Sequence, residues 1–72
     1  MNRDERKKIA RLLVQQLWCA GFLDAEILGG GTKVKTGEGD DRIMVGVDGV
    51  LRVSANPRRP RLLNAVISKF LK

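Results

Sequence analysis

The sequence contains no histidine and no tyrosine, a single cysteine, and only Trp18, Phe22 and Phe70 as aromatic side chains. Without histidine the chain lacks the commonest general base, the usual activator of a serine or cysteine nucleophile, and the commonest metal ligand. A non-enzymatic protein without a cofactor or metal ion is therefore expected. One cysteine excludes an internal disulfide and points to a reducing compartment. The place of Cys19 inside a helical apolar pattern predicts a buried small side chain rather than a reactive thiol. The shortage of rings disfavours a binder that stacks single-stranded bases. No apolar run approaches a membrane span, and the first residues include Asp4 and Glu5, unlike a signal peptide. A soluble, cytoplasmic protein is the expectation.

What is present is positive charge on a short chain. The 72 residues, with 14 Lys and Arg against 8 Asp and Glu, carry a net charge of +6. They are enough for one small basic domain, residues 1–72, near the size at which stability is marginal. The charge is unevenly spread: residues 1–21 and 49–72 are basic, and 22–48 is acidic overall. Two basic ends that pack side by side would make one strongly positive surface, which favours polyanions such as nucleic acid. Charge carried for solubility alone is the competing explanation.

The strongest local signal is Arg42 to Ala55, where two β-branched apolar runs flank Asp48-Gly49. An Asp-Gly pair in that setting predicts a β-hairpin with a two-residue type I′ turn. That loop sets Val45 opposite Arg52 and Met44 opposite Val53, so Met44, Leu51 and Val53 share one face. The other face then carries Ile43, Val45, Val47, Val50 and Arg52. Both faces are largely apolar, and a small sheet can turn only one onto its own helices, which leaves a spare apolar face for a partner.

Residues 2–21 read as a first helix. Ile9, Leu12, Leu13, Leu17 and Ala20 form an apolar stripe, while Arg3, Lys7, Arg11 and Gln15 recur every four residues on another side. Asn2 or Asp4 can cap the start, and Gly21 is placed to end the helix. Trp18 lies one position off the stripe, either covering the edge of the core or exposed as a contact residue. Residues 22–28 form a short strand or a turn leading onto one. Gly29-Gly30-Gly31 lacks the spacing of a phosphate-loop fingerprint and reads as a tight turn. Thr32 to Thr36 alternates as a strand, with Lys33 and Lys35 on one face as edge protection or phosphate contacts. In the polar loop 37–41, Glu38, Asp40 and Asp41 lack the ordered spacing of a calcium loop, so no metal site is expected.

A final helix is predicted from about Pro60 to the end, with Leu62, Leu63, Val66, Ile67, Phe70 and Leu71 as its apolar stripe. Asn56-Pro57 is held out of the helical region, and Lys69 and Lys72 suit the last turn. Arg58, Arg59 and Arg61 cluster at the opposite, unfavourable end of the dipole. They make a phosphate site there, or they pair with Glu38, Asp40 and Asp41.

The order helix, three strands, helix resembles the double-stranded-RNA-binding fold. More closely, the chain is similar to the HicA-type messenger-RNA-cleaving toxins built on that fold. The likeness spans roughly residues 9–72 and is carried by Ala20-Gly21-Phe22 at a helix end, a glycine-led strand, the Asp48-Gly49 turn, a proline-containing connection and a last amphipathic helix. It implies an α+β domain, α-β-β-β-α, whose three-stranded antiparallel sheet carries two helices on one face. It also implies basic residues at the second helix that grip phosphates. Those toxins place a catalytic histidine near the start of the first strand. The matching stretch here, Gly30-Gly31-Thr32-Lys33, has none. Lys33 would need strong desolvation to act as a base, so the fold expectation carries over and nuclease activity does not.

Two functions follow as expectations. The first is a nucleic-acid-binding module, RNA favoured over DNA by the resemblance, with Arg58, Arg59, Arg61, Lys33, Lys35, Arg3, Lys7 and Arg11 contacting phosphates. The second is a protein-interaction module, such as a small phage- or plasmid-type regulator or inhibitor, or a homodimer. Its surface would be the hairpin face of Ile43, Val45, Val47 and Val50 together with Trp18.

Overall fold

The computed structural model describes residues 2–38, 41–54 and 57–71. Ala55, Asn56, Lys72 and the candidate acidic partner Asp40 lie outside these, as does the side chain of Leu71. The elements follow in the order α1 (Arg3–Cys19), β1 (Glu26–Ile27), β2 (Lys33–Lys35), β3 (Arg42–Val45), β4 (Leu51–Val53) and α2 (Pro60–Leu71). The four strands form an antiparallel meander in the order β1-β2-β3-β4. The α+β class holds, but the sheet has four strands rather than three, because residues 26–27 take the strand alternative and pair with β2.

Helix α1 begins where Asn2 in extended conformation accepts the Glu5 amide on its side-chain oxygen at 2.8 Å. It ends at Ala20, and Gly21 at φ 104° turns the chain back so that the Phe22 amide reaches the Leu17 carbonyl at 2.9 Å. The buried face of α1 is Ala10, Leu13, Val14 and Leu17. Leu12, expected in that stripe, is half exposed, and Cys19, expected to be buried, is exposed. The reason is rotational: at 100° per residue both lie on the side of the helix away from Leu13 and Leu17, and small Ala10 takes the inner position.

The hairpin also departs from expectation by one residue. Observed partners are Ile43 with Val53, Met44 with Arg52 and Val45 with Leu51. The connection is the three-residue loop Val47-Asp48-Gly49: the Gly49 amide donates to the Gly46 carbonyl at 3.0 Å and the Gly46 amide to the Val50 carbonyl at 2.9 Å. Gly49 alone takes positive φ, 82°, and Asp48 does not, which is the pattern of a type I turn followed by a left-handed glycine. A two-residue loop would have put Arg52 on the same face as Ile43 and Val45. The extra loop residue places Arg52 beside Met44 on the outside and frees the inner face for apolar groups alone.

That inner face closes the core. Val34, Ile43 and Val45 are fully buried against Leu13, Leu17, Phe22 and the α2 residues Leu63 and Val66, with Leu51 and Val53 partly covered. The predicted spare apolar face therefore does not exist. Ile43 and Val45 are core residues and are unavailable to a partner.

Candidate nucleic-acid interface

The basic residues fall into three groups that the fold holds apart. The first lies along one flank of α1. Arg3, Lys7, Lys8 and Arg11, together with Asp4, line an open cleft of about 800 Å³ whose other wall is Ile27, Gly30 and Gly31. Residues three and four apart stack along one helix flank, so this row projects together. The turn between β1 and β2 closes against it: the Gly31 amide donates to the Leu28 carbonyl at 3.1 Å, and Gly30 and Gly31 take φ of 90° and 78°. A Cβ on Gly31 would lie 3.0 Å from the Lys7 Cγ, so glycine lets the turn approach the lysine stem. No ion pair among the described residues involves any of the four cations. Lys8 lies outside the every-fourth-residue row of Arg3, Lys7 and Arg11, and the cleft is wide enough to take it in.

The second group lies on the outer face of the sheet. Register aligns Lys33, Met44 and Arg52 across three strands, and Glu26, Lys35 and Arg42 in the next row. Lys35 Nζ is 3.2 Å from Glu26, and Arg52 is paired with Asp48 at 3.2 Å. The Arg52 guanidinium, with the Val50 amide, holds the Asp48 carboxyl below the usual aspartate range. Lys33 and Arg42 are exposed, with no ion pair among the described residues. Arg42 and Arg52 were not singled out in the sequence; the corrected hairpin register is what turns them outward together.

The third group opens α2. Arg59 pairs with Glu38 and lies over the Phe22 ring, 4.6 Å from its centroid, so its charge is engaged within the fold. Asp41, buried, accepts the Arg58 backbone amide at 2.7 Å, and the acidic loop thus meets the arginine segment partly through main chain. The side chains of Arg58 and Arg61 are exposed. This group sits by Phe22 at the C-terminal end of α1, whereas Lys7 sits by Gly31 toward its start. Along the axis of α1, Lys7 lies about 18 Å and Arg11 about 12 Å from the Cys19 end.

Trp18 is 46% exposed, and its indole Nε1 donates to the Ala25 carbonyl at 2.8 Å, fastening the end of α1 to the residue before the edge strand β1. Arg6, not assigned a role from sequence, donates from Nε to the Val45 carbonyl at 3.0 Å and ties the start of α1 to β3. Val47 and Val50 remain exposed at the hairpin tip. Among the described residues no group of three or more acidic, histidine or cysteine side chains is placed to hold a metal ion, and no helix is long and apolar enough to cross a membrane. No protein-family model matches the chain, and neither a curated protein nor a solved structure is found to match it.

Proposed function

We propose that the protein is a non-catalytic nucleic-acid-binding module that grips phosphates of double-stranded or structured RNA, with duplex DNA as the weaker ligand. The observation that carries this reading is the α1 cleft. Four cations and one carboxylate, Asp4, line it against a backbone of two glycines, and none of the four cations forms an ion pair among the described residues. Like charges at this spacing repel, and a phosphate chain relieves that repulsion while accepting several charge-assisted contacts. Arg3, Lys7, Lys8 and Arg11 are assigned as the principal contacts. Arg58 and Arg61 are further contacts, and Arg59 contributes only where a phosphate displaces Glu38. The preference for RNA rests on the resemblance to the double-stranded-RNA-binding fold, and the reading is of shape and backbone rather than base sequence.

Fluorescence anisotropy with labelled RNA duplex, DNA duplex and single strands at two salt concentrations tests the reading. Tight duplex binding with a steep salt dependence is expected. Lys7→Glu with Arg11→Glu should weaken binding to every sequence alike and flatten the log–log salt slope by about 2, one for each lost phosphate contact. Binding that is indiscriminate and disappears near physiological salt, or that the double variant leaves unchanged, overturns it.

A further inference from the structure

The outer face of the sheet is a second cationic surface, on the side of the sheet away from the helices. Alternation along the strands fixes this. Val34, Ile43 and Val45 are fully buried toward the helices, so Lys33, Lys35, Arg42 and Met44 between them face the opposite side. Neighbouring strands stand about 4.8 Å apart, which packs Lys33, Lys35, Arg42 and Arg52 into a small flat field. No described element lies over it, as the exposure of Lys33, Arg42, Met44 and Arg52 shows. Its two carboxylates, Glu26 and Asp48, are engaged at the surface, where such pairs are weak enough for phosphate to compete. Met44 and, beside Arg52 toward the hairpin tip, Val50 are exposed apolar side chains of this face among the described residues, set beside its four cations.

From this arrangement we infer that the outer sheet face holds a second segment of nucleic acid, so that one chain bridges two duplexes. The inference rests on the nucleic-acid reading of the α1 cleft and goes beyond it. The cleft opens on a flank of α1 beside the β1–β2 turn, whereas the field lies on the side of the sheet that α1 does not cover, in a molecule of 30 × 26 × 23 Å. A short duplex is stiff on that scale, with bending resisted over roughly 500 Å, so one laid flat on either surface does not wrap round the edge of the sheet onto the other. The two surfaces are therefore filled by separate segments, and the complementary charge makes each a ligand of the same chemistry.

The test immobilises a short RNA duplex, adds the protein, and then offers a dye-labelled duplex of different sequence. The wild-type protein should capture the second duplex, and mass photometry should show complexes of one chain with two duplexes. Lys33→Glu with Arg42→Glu, both exposed and without an ion pair among the described residues, should leave binding of the first duplex within about twofold and lower capture of the second by roughly tenfold or more. The milder pair Lys33→Gln with Arg42→Gln should lower it in the same direction, and circular dichroism should report an unchanged fold for both. A wild-type protein that binds the first duplex but captures no second overturns the bridging inference and leaves the proposed function standing. So does capture that survives the sheet substitutions, or that needs two chains per bridge. Failure to bind the first duplex removes both readings together.

Discussion

Asp48 does three things at the hairpin tip: its carboxylate accepts the Val50 amide at 3.1 Å, pairs with the Arg52 guanidinium, and leaves the left-handed position of the turn to Gly49. Its titration midpoint, followed by carboxyl NMR, should fall below the ordinary aspartate range. Arg52→Ala should bring it back up, since that guanidinium is the first cause of the shift. The sign follows from linkage. A carboxyl whose folded value is lowered stabilises the fold fully above its unfolded value, and the contribution is lost as pH falls through the lowered one. The tip should therefore loosen only in acid. Glycines divide at the same scale. A Cβ on Gly37, at φ 87°, would lie 2.5 Å from Asp24 Cβ and 2.8 Å from the Asp24 carbonyl carbon. Gly37→Ala should cost on the order of 2 kcal/mol in denaturant unfolding. Gly29→Ala, with open space around it and no positive φ, should be close to neutral. The Asp48-Gly49 pair announced a turn in the sequence. The length of the loop could not be read from it, because Asp-Gly suits both a two-residue turn and a three-residue loop ending in glycine. The choice is made by Arg52, which only the longer loop keeps out of the core.

Among the elements, the two helices were legible nearly to the residue, because a capping Asn2, a terminating Gly21 and the Pro60 start are local signals. The strand β1 was not. Two residues are too few to show alternation, and their strand character comes from pairing Glu26 with Lys35 and Ile27 with Val34. The attachment of α2 was equally hidden: Asp41 reaches the Arg58 amide across 17 residues of sequence. The sequence leaves the acidic loop and a phosphate as alternative partners of the arginine segment, and the bond observed runs from main chain to a buried carboxylate. Asp41→Ala leaves that amide unmet and should cost about 1–3 kcal/mol, read by chemical denaturation. Faster hydrogen exchange at Arg58 than at α1 amides would show that the loss is local to the start of α2. An unchanged stability would mean that the Arg59–Glu38 pair and the stacking on Phe22 hold the helix start by themselves.

Taken as a whole, the molecule sets a small apolar core against crowded positive charge, and the two compete. A 72-residue domain has on the order of 4–11 kcal/mol of stability in total. Within that margin, a row such as Arg3, Lys7 and Arg11 places like charges one helical turn apart and costs a few tenths of a kcal/mol per pair. If the row exists to hold phosphate, relieving it should help the fold and harm the binding. Arg11→Glu turns the repulsive contact with Lys7 into an attractive one. It should raise the melting temperature by about 2–4 °C in low salt, with the gain shrinking as salt is added. The same substitution should weaken duplex binding in anisotropy, because it removes one phosphate contact and adds a repulsive charge to the cleft. Stability and affinity moving in opposite directions is the signature of a residue kept for a ligand. If Arg11→Glu instead lowers the melting temperature, the aliphatic stem of Arg11 supports the fold, and duplex binding left unchanged would show the charge at this position to be incidental.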